Sequence, residues 1–159
     1  MPYGPLLRGR LTLPAGCPAG YAGYVDSLKH GKVLIIDEHD DVRPLLARRL
    51  SSTAGLRVVA DTGSLLRGAE LAARWQPDVI LMDVKIHTPY RTEMWGRIAL
   101  ASPRSLLVVF TSYLDAGEKQ AWMRVGVRKC LLKDIGMQGL IDELHALTRS
   151  REGGRQEVS

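Results

Sequence analysis

Val79-Ile80-Leu81-Met82-Asp83 is a run of four apolar residues closed by a carboxylate. A strand with one wet face alternates polar and apolar side chains, whereas a strand covered on both faces is apolar throughout. The run therefore predicts a buried central strand that delivers Asp83 to the edge of a sheet. Two other stretches share its character. Val33-Leu34-Ile35-Ile36 ends on Asp37-Glu38, and Leu106-Leu107-Val108-Val109-Phe110 ends on Thr111-Ser112. Three buried strands that finish on oxygen-bearing side chains predict one polar site at the C-terminal edge of a parallel sheet.

Between these strands the period changes to that of helices. Asp40 or Asp41 is placed to cap a helix with Pro44 in its first turn and an apolar stripe of Leu45, Leu46 and Leu50, ended by Gly55. Arg57–Ala60 reads as a short strand. Asp61-Thr62-Gly63-Ser64 follows as turn and cap for a helix carrying Leu65, Leu66, Ala69, Leu71, Ala72 and Trp75, which stops before Pro77. After Asp83, residues 84–93 read as a loop and residues 92–101 as a helix. Asp115 starts another helix, closed by Gly126, in which Trp122 and Met123 read as packing residues. Lys129–Lys133 is a fifth strand. Met137, Leu140, Ile141, Leu144 and Leu147 then mark a fifth helix at helical spacing. Five strands alternating with five helices predict an α/β, doubly wound, five-stranded parallel sheet with helices on both faces.

The chain has 159 residues, enough for one domain with a real core. Residues 1–31 hold six Gly and four Pro with neither period, and predict a flexible N-terminal extension. The domain is expected over 32–148, with 149–159 as a C-terminal tail or linker. The formal net charge is +5. Its basic residues form no run and carry no interleaved aromatics, so direct nucleic-acid binding by this segment is not expected. Two cysteines, Cys17 and Cys130, make neither a disulfide framework nor a zinc site, which suits a reducing, cytoplasmic location. No apolar stretch approaches the roughly 18 residues of a membrane span.

The predicted sheet edge gathers Asp37, Glu38, Asp83, Thr111 and Lys133. Three carboxylates so close repel one another unless something positive compensates. A hard divalent cation such as Mg²⁺ takes oxygen ligands and leaves room for a phosphoryl oxygen. With a hydroxyl from Thr111 and an ammonium from Lys133, the set suits phosphoryl transfer onto a carboxylate, with Asp83 as nucleophile.

Four pieces of this sequence, Val33–His39, Pro77–Asp83, Val108–Thr111 and Leu131–Asp134, fall at these strand ends. From Lys32 to about Leu147 they make the chain resemble the receiver domain of two-component response regulators, most like the NarL/LuxR type, in which Lys133 is followed by Asp134. The resemblance implies a flavodoxin-like or CheY-like (βα)5 fold with strand order 2-1-3-4-5. It implies Asp83 as phosphoacceptor, with Mg²⁺ held by Glu38 directly, by Asp37 through water, by Asp83 and by the backbone carbonyl of Lys85. Thr111 and Lys133 match its switch hydroxyl and phosphate-binding lysine. Its implied partners are a sensor histidine kinase, a second copy of the chain through a helical face, and a downstream output domain or protein.

Several positions depart from the family pattern. The acid pair is Asp-Glu instead of Asp-Asp, and the loop after the acceptor reads Ile86-His87-Thr88. Cys130 stands where an aromatic switch residue is expected. Lys85 and Tyr113 occupy the positions that gate water near the acyl phosphate; both are bulky, which implies slow self-hydrolysis. These departures keep open a degenerate receiver acting as a phosphorylation-independent interaction module. A phosphohydrolase would want a second acid two residues after Asp83, where this chain has Lys85. His39 and His87 border the site without metal-ligand spacing. An output helix-turn-helix is not expected after the fifth helix, since too few residues follow it.

Overall fold

The computed structural model describes residues 30–84 and 91–153. In chain order the elements are β1 (Gly31–Ile36), α1 (Arg43–Ser51), β2 (Leu56–Thr62), α2 (Leu65–Trp75), β3 (Val79–Met82), α3 (Arg91–Ala101), β4 (Leu106–Thr111), α4 (Ala116–Arg124), β5 (Val127–Leu132) and α5 (Gly136–Gly153), with a 3₁₀ turn at Lys133–Ile135. The strands form one sheet in the order β2-β1-β3-β4-β5, every neighbouring pair parallel. This is the doubly wound order that the resemblance implies.

The period of two along each strand divides the core into two layers. Leu34, Ile36, Ile80, Met82, Leu107 and Val109 face α2, α3 and α4, where they meet Leu65, Leu71, Trp95, Ile98 and Trp122. Val33, Ile35, Val79, Leu81, Val108 and Phe110 face α1 and α5, against Leu46, Leu50, Leu140, Leu144 and Leu147. All four residues of β3 are buried because both its neighbours are strands and both its faces are covered. Each such side chain contributes about 1.5–3 kcal/mol from burial.

The helix ends follow local chemistry in some places and tertiary contacts in others. Ser64 caps α2 by accepting from the Arg67 amide, and Asp115 with Glu118 forms a capping box on α4. Gln76 ends α2 in the left-handed region, at φ 44°, and its side-chain amide donates to the carbonyls of Ala73 and Ala101. On α1 the expected cap is corrected. Neither Asp40 nor Asp41 caps it; its N-cap is Val42, without a side-chain bond, and Asp40 instead accepts from the Arg43 guanidinium at 2.5 Å.

The apolar stripes are narrower than their leucines suggest. Leu45 is 67% exposed and Leu66 is also exposed, because each helix meets the sheet along one side only. β2 runs to Thr62, longer than expected, and β5 starts earlier, at Val127. Gly31 joins β1 through its amide to the Gly55 carbonyl. Residues 149–153, expected as tail, are helical, and Arg151 pins them by donating to the Asp78 carbonyl at 2.9 Å. Residues 1–29 of the N-terminal extension and 154–159 of the tail lie outside the described residues.

Candidate functional site

Asp37 and Asp83 are the first residues beyond β1 and β3, and the parallel ladder continues into them. The Asp37 amide donates to the Thr62 carbonyl and the Asp83 amide to the Ile36 carbonyl, both at 2.9 Å. Two adjacent strands thus end in register, with both carboxylates buried. β5 lies two strands from β3, so only a long side chain bridges the distance. Lys133 does so: its Nζ donates to Asp37 Oδ2 at 2.7 Å and to Asp83 Oδ2 at 2.9 Å. The same ammonium stands 5.7 Å from the centre of the Phe110 ring, whose face adds a weak cation–π attraction.

His39 closes the other side of Asp37. Its Nδ1 lies 2.6 Å from Asp37 Oδ1, and its backbone amide donates to that oxygen at 2.9 Å. Asp83 Oδ2 lies 3.6 Å from the same ring nitrogen. Asp37, His39 and Asp83 each offer a ligand atom within 4.8 Å of the other two. Beneath them Arg43 secures the end of β1, donating from Nη1 to the Asp37 carbonyl at 2.6 Å and from Nε to Asp61 at 3.0 Å.

The electrostatics follow these contacts. Burial pushes the Asp37 carboxyl up, but hydrogen bonds from Lys133 and His39 outweigh it and hold the group below its ordinary value. Burial likewise pulls Lys133 down, while bonds to Asp37 and Asp83 raise it above its ordinary value, so the ammonium stays charged. His39 is raised chiefly by its bond to Asp37. Burial pushes the Cys130 thiol up.

Of the residues named from sequence, the structure brings Asp37, Asp83 and Lys133 together. Glu38 is half-buried and stands outside the three-donor group. Thr111 is fully buried at the end of β4, and its hydroxyl donates to the Tyr113 carbonyl at 3.3 Å. Tyr113 is exposed. Cys130 is partly buried and packs against the α2–α4 side of the core, paired with Val109 across the sheet. Lys85 and the loop residues Ile86, His87 and Thr88 lie outside the described residues.

Arg43 escaped the sequence reading, and His39 was read there only as bordering the site. The signal for His39 was its place two residues after Asp37, the spacing at which an aspartate accepts from a backbone amide to make an Asx turn.

The donor set suits a hard divalent cation, since Asp37 and Asp83 supply carboxylate oxygens of the kind Mg²⁺ takes. A family model described as the response regulator receiver domain matches residues 33–145. The chain belongs to that family. The receiver is 28% identical over 118 residues to the transcriptional regulatory protein LiaR of Bacillus subtilis, covering 74% of this chain and 56% of LiaR. It is 29% identical over 113 residues to the response regulator GacA of Pseudomonas aeruginosa, covering 71% and 53%. The chain thus spans about half the length of these curated relatives.

Among solved structures, a LuxR-family DNA-binding response regulator from Staphylococcus aureus superposes with a TM-score of 0.66 at 15% identity, covering 74% of this chain and 98% of that one. A CheY-like receiver from Methanospirillum hungatei superposes with a TM-score of 0.70 at 15% identity, covering 79% and 98%. At such identities the likeness establishes the receiver fold alone. No helix of the described residues is long and apolar enough to cross a membrane.

Proposed function

We propose that this receiver accepts a phosphoryl group on Asp83 from a sensor histidine kinase, and that the modification changes its affinity for a downstream output domain or protein. The observation that carries this reading is the Lys133 ammonium bonded to both Asp37 and Asp83 at the carboxyl edge of the sheet. Asp37 and Asp83 would hold Mg²⁺, which supplies positive charge against the phosphoryl oxygens.

A carboxylate oxygen of Asp83 attacks phosphorus. The O–P bond of an acyl phosphate forms, and the P–N bond to the kinase imidazole breaks with its electron pair returning to that ring. Lys133, already on Asp83, offers its protons to the incoming phosphoryl oxygens. Thr111 would turn from the Tyr113 carbonyl to the phosphoryl group, moving the segment after β4. The bulk of Lys85 and Tyr113 supports a slowly hydrolysed acyl phosphate, and loss of the label within seconds would contradict that part of the reading.

Incubation of the full chain with Mg²⁺ and acetyl phosphate should add one phosphoryl mass to wild type and none to Asp83→Asn. No adduct at saturating phosphodonor would overturn the reading. Cys130 favours one rival, a receiver that binds its partner independently of phosphorylation, because a small, partly buried thiol has no ring to swing between two positions. Equal partner binding by wild type and Asp83→Asn, with and without phosphodonor, would select that rival.

A further inference from the structure

His39 completes a cluster that goes beyond an acid pair. Asp37 divides its two oxygens: Oδ2 accepts from Lys133, and Oδ1 faces the His39 ring nitrogen. His39 Nδ1 therefore lies 2.6 Å from Asp37 Oδ1, the oxygen that Lys133 leaves, and 3.6 Å from Asp83 Oδ2, the oxygen it shares with the ammonium. Asp37, His39 and Asp83 each offer a ligand atom within 4.8 Å of the other two, a span that one small cation can bridge. The residue stays beside Asp37 even when its ring nitrogen is taken by an ion, because its backbone amide also donates to Asp37 Oδ1. At 47% side-chain exposure it is also open to a hydrated ion arriving from solvent. Glu38, next in sequence to Asp37, is not part of this group.

Mg²⁺ takes oxygen ligands almost alone, whereas imidazole nitrogen suits Fe²⁺, Ni²⁺ and Zn²⁺, and Mn²⁺, though it favours oxygen, stands at the start of the same first-row series. We infer that His39 is a direct nitrogen ligand to the divalent cation beside Asp37 and Asp83, in the place the family resemblance gives to Glu38, and that it tilts the site toward ions such as Mn²⁺ over Mg²⁺. This rests on the reading that the site holds a divalent cation. As the metal–nitrogen bond forms, the hydrogen bond between Nδ1 and Asp37 Oδ1 breaks and its proton leaves to solvent; no electron changes hands. His39 is a ligand in this scheme, distinct from the phosphoacceptor, and its exposure makes its replacement compatible with folding.

The test uses the full chain with Mn²⁺ as probe at pH 8, read by electron spin-echo modulation and by calorimetric titration of Mn²⁺ and Mg²⁺. Wild type should show ¹⁴N modulation of the size a directly bound imidazole gives. His39→Ala should lose it, with Mn²⁺ affinity falling about tenfold or more, as losing a metal-site partner does, and Mg²⁺ affinity changing far less. Mn²⁺ bound to wild type without that modulation would overturn the inference while leaving the receiver reading intact. So would an equal loss of both ions in His39→Ala, or a loss of Mn²⁺ in Glu38→Gln but not in His39→Ala. Failure of wild type to bind either ion would overturn the inference and the metal-assisted reading together.

Discussion

Lys133 Nζ and Asp83 Oδ2 stand 2.9 Å apart although 50 residues separate them in sequence. The lysine also reaches Asp37, 96 residues away, so one ammonium holds together the ends of β1, β3 and β5. Its substitution should be costly for a specific reason. Lys133→Met leaves two buried carboxylates side by side without their cation, a loss of about 3 kcal/mol by analogy with other broken buried pairs. Adding Asp83→Asn should recover part of that loss, since only one carboxylate then remains. Urea denaturation of the two single variants and the double variant measures the coupling; additive losses would refute it.

Stability should fall on both sides of a window set by three groups. Asp37 titrates below its ordinary 3.8 in the folded chain, so its contribution is present above 3.8 and disappears as pH falls through the folded value. His39 titrates above its ordinary 6.5, so its contribution is complete below 6.5 and disappears as pH rises through the folded value. Lys133, raised above 10.5, loses its contribution only beyond that pH. The metal-free melting temperature should therefore decline below pH 3.8 and step down above pH 6.5. Proton NMR should find the His39 titration returning toward 6.5 in Asp37→Asn.

The two faces of β3 should be equally intolerant. Ile80 points to the α2–α4 layer and Leu81 to the α1–α5 layer, and both are fully buried. Replacing either by Ala should cost about 2–5 kcal/mol. Leu100, on α3, is 82% exposed, and its replacement should stay within about 0.5 kcal/mol. Chemical denaturation of the three variants checks the contrast.

Arg151 should matter to the fold although it lies among residues that look like a tail. It donates to the Asp78 carbonyl, and its guanidinium stands 3.3 Å from the Asp78 carboxylate. The Asp78 carboxylate also accepts from the Lys32 amide at the start of β1. Arg151→Ala should cost about 1 kcal/mol. Amide exchange should rise in the last turns of α5 and at the start of β3; unchanged protection there would show that the contact contributes nothing.

Much of the fold was legible because its strands are buried on both faces. Uninterrupted apolar runs such as Val79–Met82, too short for a helix and bounded by turn residues, read as central strands, and oxygen-bearing residues just after them imply a polar edge. The capping signals of Ser64 and Asp115 are local and needed no tertiary information. Asp40 misled because its carboxylate had a stronger partner in Arg43 than any helix amide. Leu45 and Leu66 misled because a leucine at helical spacing does not reveal how wide a stripe the sheet covers.

The order of the elements, the two-faced sheet and the presence of carboxylates, a hydroxyl and a lysine at its carboxyl edge were determined by the sequence itself, since each depends on period and on the residue that ends a strand. Which of those groups touch was decided only in three dimensions. Lys133 bridges Asp37 and Asp83 because β5 lies two strands from β3, and His39 joins them because the chain turns back on Asp37 as it leaves β1. Such contacts depend on distances across the sheet and on side-chain direction, which no spacing along the chain records.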